Sequence, residues 1–172
     1  MLKIFIGLFF LFIDYSIRGI SVTPAFVGYL LIWKGMKETK ESLNYQMRSS
    51  QALLAAGVSA VYWIRSFFDQ SYGTLGMALM IAVMVLQLMV TQNLNNGVVE
   101  LQNGSGIELR ARHLIIMWNI MAVGSIAVIF TRLLMPALMV AAALIYFAGC
   151  VGYLVFYYQA ASTWKKYGGK AQ

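Results

Sequence analysis

Two acid–arginine pairs stand out in an otherwise apolar chain. Asp14 precedes Arg18 by four residues, and Arg65 precedes Asp69 by the same interval. An ionisable group inside an apolar stretch costs about 2.5–3.5 kcal/mol on insertion scales, so each needs a partner or water. If both stretches are helices running in the same direction, a rise of ~1.5 Å per residue sets Asp14 roughly 18 Å and Arg65 roughly 20 Å from the inner edge. Arg18 and Asp69 then form a second layer roughly 6 Å higher. Opposite signs face each other in both layers, Asp14 with Arg65 and Arg18 with Asp69. Such a cluster would line an outward-facing recess able to bind or pass a small solute. Arg132 adds a third guanidinium on the same side, and planar paired donors suit a carboxylate or a phosphate. The plainer reading is pairing within each helix, with the arginines reaching up to lipid headgroups.

The remaining polar and sulfur groups carry weaker expectations. Gln87 and Asn119 fall near the inner third of their stretches and read as a structural amide pair across adjacent helices. Three methionine pairs at helical i,i+4 spacing, Met80/Met84, Met117/Met121 and Met135/Met139, would stack thioethers able to hold a soft cation. Ordinary packing by a flexible apolar side chain explains them better. His113, the single histidine, is flanked by Arg110 and Arg112 and reads as a headgroup contact. Cys150 lies alone in an apolar run and can form no internal disulfide. The chain carries no H-x-x-x-H, C-x-x-C, G-x-S-x-G or P-loop sequence, so neither an enzyme nor a cofactor is expected.

The elements that must position these groups are membrane helices. The chain is 60% hydrophobic and only 11% charged, with mean hydropathy +0.72, too few charges to keep a soluble surface wet. Six apolar stretches follow, at about 2–20, 22–36, 51–68, 73–91, 114–133 and 136–158. A crossing helix needs about 20 residues, and the first two stretches meet that least comfortably. They read either as full crossings or as a re-entrant hairpin shielded by protein. Pro24 suits the first turn of the second. The start, MLKIFIGLFFLFI, resembles a secretory signal, but Asp14 interrupts it and no small-x-small site follows, so it reads as a permanent span.

Basic residues set the orientation. Sorted by alternate gaps, Lys3, Lys34, Lys37, Lys40, Arg48, Arg110, Arg112, Lys165, Lys166 and Lys170 fall on one side, and only Arg18, Arg65 and Arg132 on the other. Ten against three places both termini in the cytoplasm. It also disfavours a dual-topology exporter, which needs near balance. The net charge of +7 flanks apolar spans, which points to anionic headgroups at the inner face and not to nucleic acid. A small-molecule ligand, a second copy of the chain or a membrane partner subunit are the other partners expected. The inner connections, Lys34–Ser50 and Gln92–His113, are long. Lys34/Glu38 and Lys37/Glu41 suggest helical extension in the first, and Gly104-Ser105-Gly106 a break in the second. The fold class is an all-α polytopic membrane bundle in one domain, residues 1–172.

The run TPAFVGYLLIWKGMKE resembles the P-D-F-[IV]-G-Y-x-L-I-x-x-G signature of small multi-pass membrane proteins of Firmicutes. NNGVVELQNGSGIELRARHLIIMW is similar to their connection before the fifth span. Ala25 stands where that pattern has Asp. The resemblance implies a bacterial plasma membrane and no assigned activity. Six helices with both termini inside are also similar to the substrate-binding subunits of energy-coupling-factor transporters. The first stretch here, IFIGLFFLFID, lacks the A-x-x-x-A face those subunits use. Two functions follow: binding or transport of a small solute, or a non-transporting accessory, sensor, immunity or assembly role exercised through the cytoplasmic loops. If Asp14 and Arg65 pair, Asp14→Arg combined with Arg65→Asp should unfold in detergent at a higher temperature than either single reversal. A double variant no more stable than the singles would show that they do not.

Overall fold

Helices take up the apolar runs, and small residues decide how closely those helices approach. The computed structural model describes residues 1–13, 16–17, 20–21, 24–68 and 74–168, with the backbone alone at 16–17, 20–21, 66–68 and 132–133. The described chain is helical apart from short connections and one two-residue ladder. Its helices are α1 (Leu2–Phe12), α2 (Ala25–Glu38), α3 (Leu43–Phe68), α4 (Thr74–Ser105), α5 (Ala111–Leu134) and α6 (Met139–Tyr167). A 3₁₀ turn, Pro136–Leu138, leads into α6. The strands β1 (Ser16–Ile17) and β2 (Ile20–Ser21) pair antiparallel, Ser16 opposite Ser21 and Ile17 opposite Ile20.

Among the described residues three helices are long and apolar enough to cross a membrane: α4, α5 and the turn-plus-α6 segment. At 32 residues α4 measures about 48 Å, well beyond a ~30 Å hydrocarbon core. The 26 residues of α3 are long enough, but Asn44, Gln46, Arg48 and Gln51 make its first half polar. Large apolar side chains such as Val123, Val140 and Phe147 stand on the surface of α5 and α6, as expected where the surroundings are lipid.

The chain forms two compact units, Met1–Glu100 and Leu101–Gln172. In the first, α1 and α2 form a tight antiparallel hairpin. A Cβ on Gly7 would lie 2.5 Å from the Gly28 carbonyl oxygen, and one on Gly28 would lie 2.6 Å from that of Gly7. Ile4, Leu8, Tyr29 and Ile32 are fully buried in this unit. Phe26, at the start of α2, meets Trp63 near the end of α3 edge-to-face at 5.6 Å. In the second unit α5 and α6 pack antiparallel with equal intimacy. A Cβ on Gly149 would meet the Met121 backbone nitrogen at 2.6 Å, and one on Gly124 the Tyr146 Cα at 2.6 Å. This is the small-residue packing by which apolar helices associate where hydrophobic exclusion from water is absent.

Three expectations change. The first apolar stretch, 2–20, is helical only to Phe12. The β-branched, polar run from Ile13 favours extended backbone, which is what Ser16–Ile17 and Ile20–Ser21 adopt. Second, the connection Gln92–His113 is mostly helix, because α4 runs on through Asn95-Asn96-Gly97 to Ser105. The ring of Tyr45 fills the space beside Gly97, a contact that outweighs the poor helix propensity of the Asn-Asn-Gly run. The break falls at 106–110, with Gly106 at φ +69°. Third, α2 ends at Glu38, and Glu38 pairs with Lys3 of α1 in the described contacts.

Gly7 and Gly57 make a paired test. Nothing lies within 4 Å of a Cβ on Gly57. Gly7→Ala should destabilise the protein in detergent by about 2–3 kcal/mol through overpacking. Gly57→Ala should be neutral or stabilising by up to about 1 kcal/mol. Thermal unfolding followed by circular dichroism reads both.

Candidate functional site

The most elaborate polar site in the described structure lies where α3 begins beside the polar end of α4. Helix α3 opens with four backbone N–H groups that have no partner within the helix. Glu100 of α4, 56–58 residues away in sequence, answers two of them. Its carboxylate accepts from Ser42 Oγ, from the Leu43 backbone N–H at 3.1 Å and from the Asn44 backbone N–H at 3.0 Å. Asn44 Nδ2 adds a longer bond at 3.3 Å. A carboxylate at a helix N-terminus also meets the positive end of the macrodipole. Ser42 Oγ in turn accepts from the Tyr45 backbone N–H at 3.3 Å, in the manner of an N-cap.

The network continues along both helices. Tyr45, fully buried, donates its hydroxyl to the Leu94 carbonyl at 3.1 Å. One turn further, Arg48 Nη1 donates to Asn93 Oδ1 at 3.0 Å, and Asn93 Nδ2 donates to Gln51 Oε1. At the other end of α3 the Arg65 guanidinium occupies the space left open by Gly76 on α4. Arg48 to Arg65 and Gly76 to Asn93 are both seventeen residues. The two contacts, about 25 Å apart along each helix, therefore fit one antiparallel register.

In the second unit the turn into α5 and the adjoining end of α6 are built from polar contacts. Gln102 Oε1 accepts the backbone N–H groups of Leu109 at 3.0 Å and Ala111 at 3.2 Å, closing the turn into α5. Arg110 takes the left-handed conformation, φ 57° and ψ 33°, which costs a non-glycine residue about 1 kcal/mol or more. Its Nη1 donates to Gln159 Oε1 at 2.8 Å. His113 stacks on Phe156 with ring centroids 5.2 Å apart.

The residues singled out from sequence are distributed as follows. Asp14, Arg18 and Asp69 lie outside the described residues, and Arg132 is described only as backbone in the last turns of α5. Arg65 is near the end of α3, against α4. Gln87 is half-buried on α4 in the first unit, and Asn119 is exposed on α5 in the second. Met117 and Met121 pack on Gly152 and Gly149 of α6. Met80 and Met84 are half-buried on α4, while Met135 and Met139 are exposed. Glu100 escaped sequence reasoning because nothing local marks it: its partners are 56–58 residues away. The polar opening of α3, Ser42-Leu43-Asn44, was the one available sign that an outside acceptor was needed.

Comparison with known protein families, with curated proteins and with solved structures finds no match to this chain. Its site must be argued from its own chemistry. Glu100→Ala leaves the start of α3 without its acceptor and should cost about 2 kcal/mol. That is roughly 4–8 °C in unfolding temperature for a chain of this size. Glu100→Gln, which keeps an acceptor but loses the charge, should fall between the two.

Proposed function

We propose that the protein is a multi-pass bacterial plasma-membrane protein with six crossing elements and both termini cytoplasmic, working as a non-enzymatic accessory through its cytoplasmic end. Sensing, immunity and assembly roles all belong to this class. The observation that carries it is the concentration of interhelical hydrogen bonds, from Glu100 to Gln51, at the end of α3 and α4 where the basic residues also gather. Those bonds hold a rigid polar surface just below Lys37 and Lys40, both exposed. Rigid elements present a docking surface at lower entropic cost than a loose loop.

The crossing of α3 is supported by its partner. A helix that meets α4 at two points about 25 Å apart is long enough to accompany it through most of the hydrocarbon core. The Phe26–Trp63 contact extends the argument to the first hairpin, since Trp63 lies fifteen residues, or about 22 Å, along α3 from Arg48. The start of α2 therefore reaches toward the far boundary. Pairing of β1 with β2 satisfies backbone groups that hydrocarbon cannot. Ten inner against three outer cations set the orientation.

A second reading, binding or passage of a small solute through an outward recess at Asp14, Arg18, Arg65, Asp69 and Arg132, draws support from Gly76, whose missing side chain leaves room for the Arg65 guanidinium between α3 and α4. In-cell photo-crosslinking separates the two. A benzophenone side chain at Lys40 should give discrete protein adducts, and one at Ser71 should not. Adducts at neither position, together with solute-dependent protection of Arg65→Cys from an externally added maleimide, would replace the accessory reading with the transport one.

A further inference from the structure

The surplus positive charge is unevenly divided. The first unit has seven Lys and Arg against five Asp and Glu, a surplus of two; the second has six against one, a surplus of five. In the first unit carboxylates are built into the same contacts, as with Lys3 and Glu38. In the second the single carboxylate is Glu108, two residues before Arg110. Five of the six cations, Arg110, Arg112, Lys165, Lys166 and Lys170, fall on the side assigned to the cytoplasm, with His113 among them.

We propose that this end of the α5–α6 hairpin is a binding site for the phosphodiester headgroup of an anionic phospholipid, held by Arg110 and His113 with Lys166 beyond them. Two contacts place Arg110 and His113 on one face, and helical spacing puts Lys166, whose ammonium lies over the Tyr167 ring, further along it. Arg110 is tied to Gln159, and His113, one turn along α5, is stacked on Phe156, three residues before Gln159 on α6. Lys166 follows Gln159 by seven residues, two helical turns on the same face of α6 and about 10 Å further out. Arg110 and His113 are exposed, so their remaining donors are available to a ligand. The tether to Gln159 and the stack on Phe156 hold both side chains in place before a ligand arrives, which lowers the entropic cost of binding. The backbone of the helix end contributes little, because Gln102 already takes the Ala111 N–H. Toward the membrane the same seam turns apolar, with Met117 against Gly152, a surface suited to an acyl chain. A cation cluster between helices on the cytoplasmic side, above an apolar seam, fits an anionic lipid better than a free anion.

The inference rests on the inward orientation of this end, and not on whether the protein is an accessory or a transporter. The test uses the full chain in nanodiscs of mixed phosphatidylglycerol and phosphatidylcholine, with co-purifying lipid counted by native mass spectrometry. The wild type should retain phosphatidylglycerol in preference. Arg110→Gln should lower that preference about five-fold, and adding His113→Gln should lower it further. Lys34→Gln, an exposed cation of the first unit, should leave it unchanged. Equal retention of the two lipids, or equal loss from Lys34→Gln and Arg110→Gln, would overturn the proposal. So would inorganic phosphate displacing the lipid at matched concentration, which would mark a free-anion site. Maleimide labelling of Lys165→Cys in a Cys150→Ala background checks the orientation separately. If that residue labels from outside in intact cells, the orientation is wrong, whatever the lipid count shows.

Discussion

Apolar helices in a hydrocarbon medium gain nothing from hiding apolar surface, because lipid tails are as apolar as leucine. Close backbone approach and buried hydrogen bonds must hold them together, and both can be traced residue by residue here. The α1–α2 hairpin closes where Gly7 and Gly28 put carbonyl oxygens within 2.6 Å of each other's missing Cβ. The α5–α6 hairpin closes in the same way at Gly124 and Gly149. The α3–α4 pair uses the other device, a ladder of polar bonds at one end and an arginine against a glycine at the other. Each hairpin is thereby fixed in register as well as in partner.

How much of this was legible in the sequence depended on the range of the interaction. Composition and the placement of Lys and Arg suffice for an all-helical chain with long apolar helices, since each depends only on local residue types. Helix ends were harder. Pro24 announced the start of α2, because a fixed φ and a missing N–H leave few other roles. Nothing local announced that α4 would pass through Asn95-Asn96-Gly97, a run that reads as a turn until the ring of Tyr45 is set beside it. The pairing of Asp14 with Arg65 and of Arg18 with Asp69 presumed a helix over 2–20; α1 ends at Phe12, and Asp14, Arg18 and Asp69 lie outside the described residues. Glu100 was invisible for the same reason as the Gly97 contact: its meaning is set by residues 56–58 positions away.

The division of labour between the two ends of the helices follows from solvent. Midway along a crossing helix an unpaired polar group is costly, so polar chemistry concentrates at the boundaries. At the end assigned to the cytoplasm it takes two forms. In the first unit a carboxylate caps a helix and an Arg–Asn–Gln chain ties two helices together, leaving a surface whose own groups are already satisfied. In the second the cations outnumber carboxylates, and Arg110, Arg112, Lys165 and Lys166 are exposed, as is the stacked histidine. A satisfied surface suits a protein partner, and an unneutralised one suits an anionic lipid.

The central claim is that α3 and α4 share one antiparallel register from the Glu100 cap to Arg65, the premise on which the proposed crossing of α3 rests. Spin labels report it most directly, in a Cys150→Ala background, with pairs at Ser50 and Gln92 near the cap and at Ile64 and Ala78 near Arg65. Both pairs should give similar distances by pulsed electron resonance, as for two helices that keep one separation along their length. A short distance at the Ser50–Gln92 pair with a much longer one at Ile64–Ala78 would mean that the helices splay, and would contradict the account.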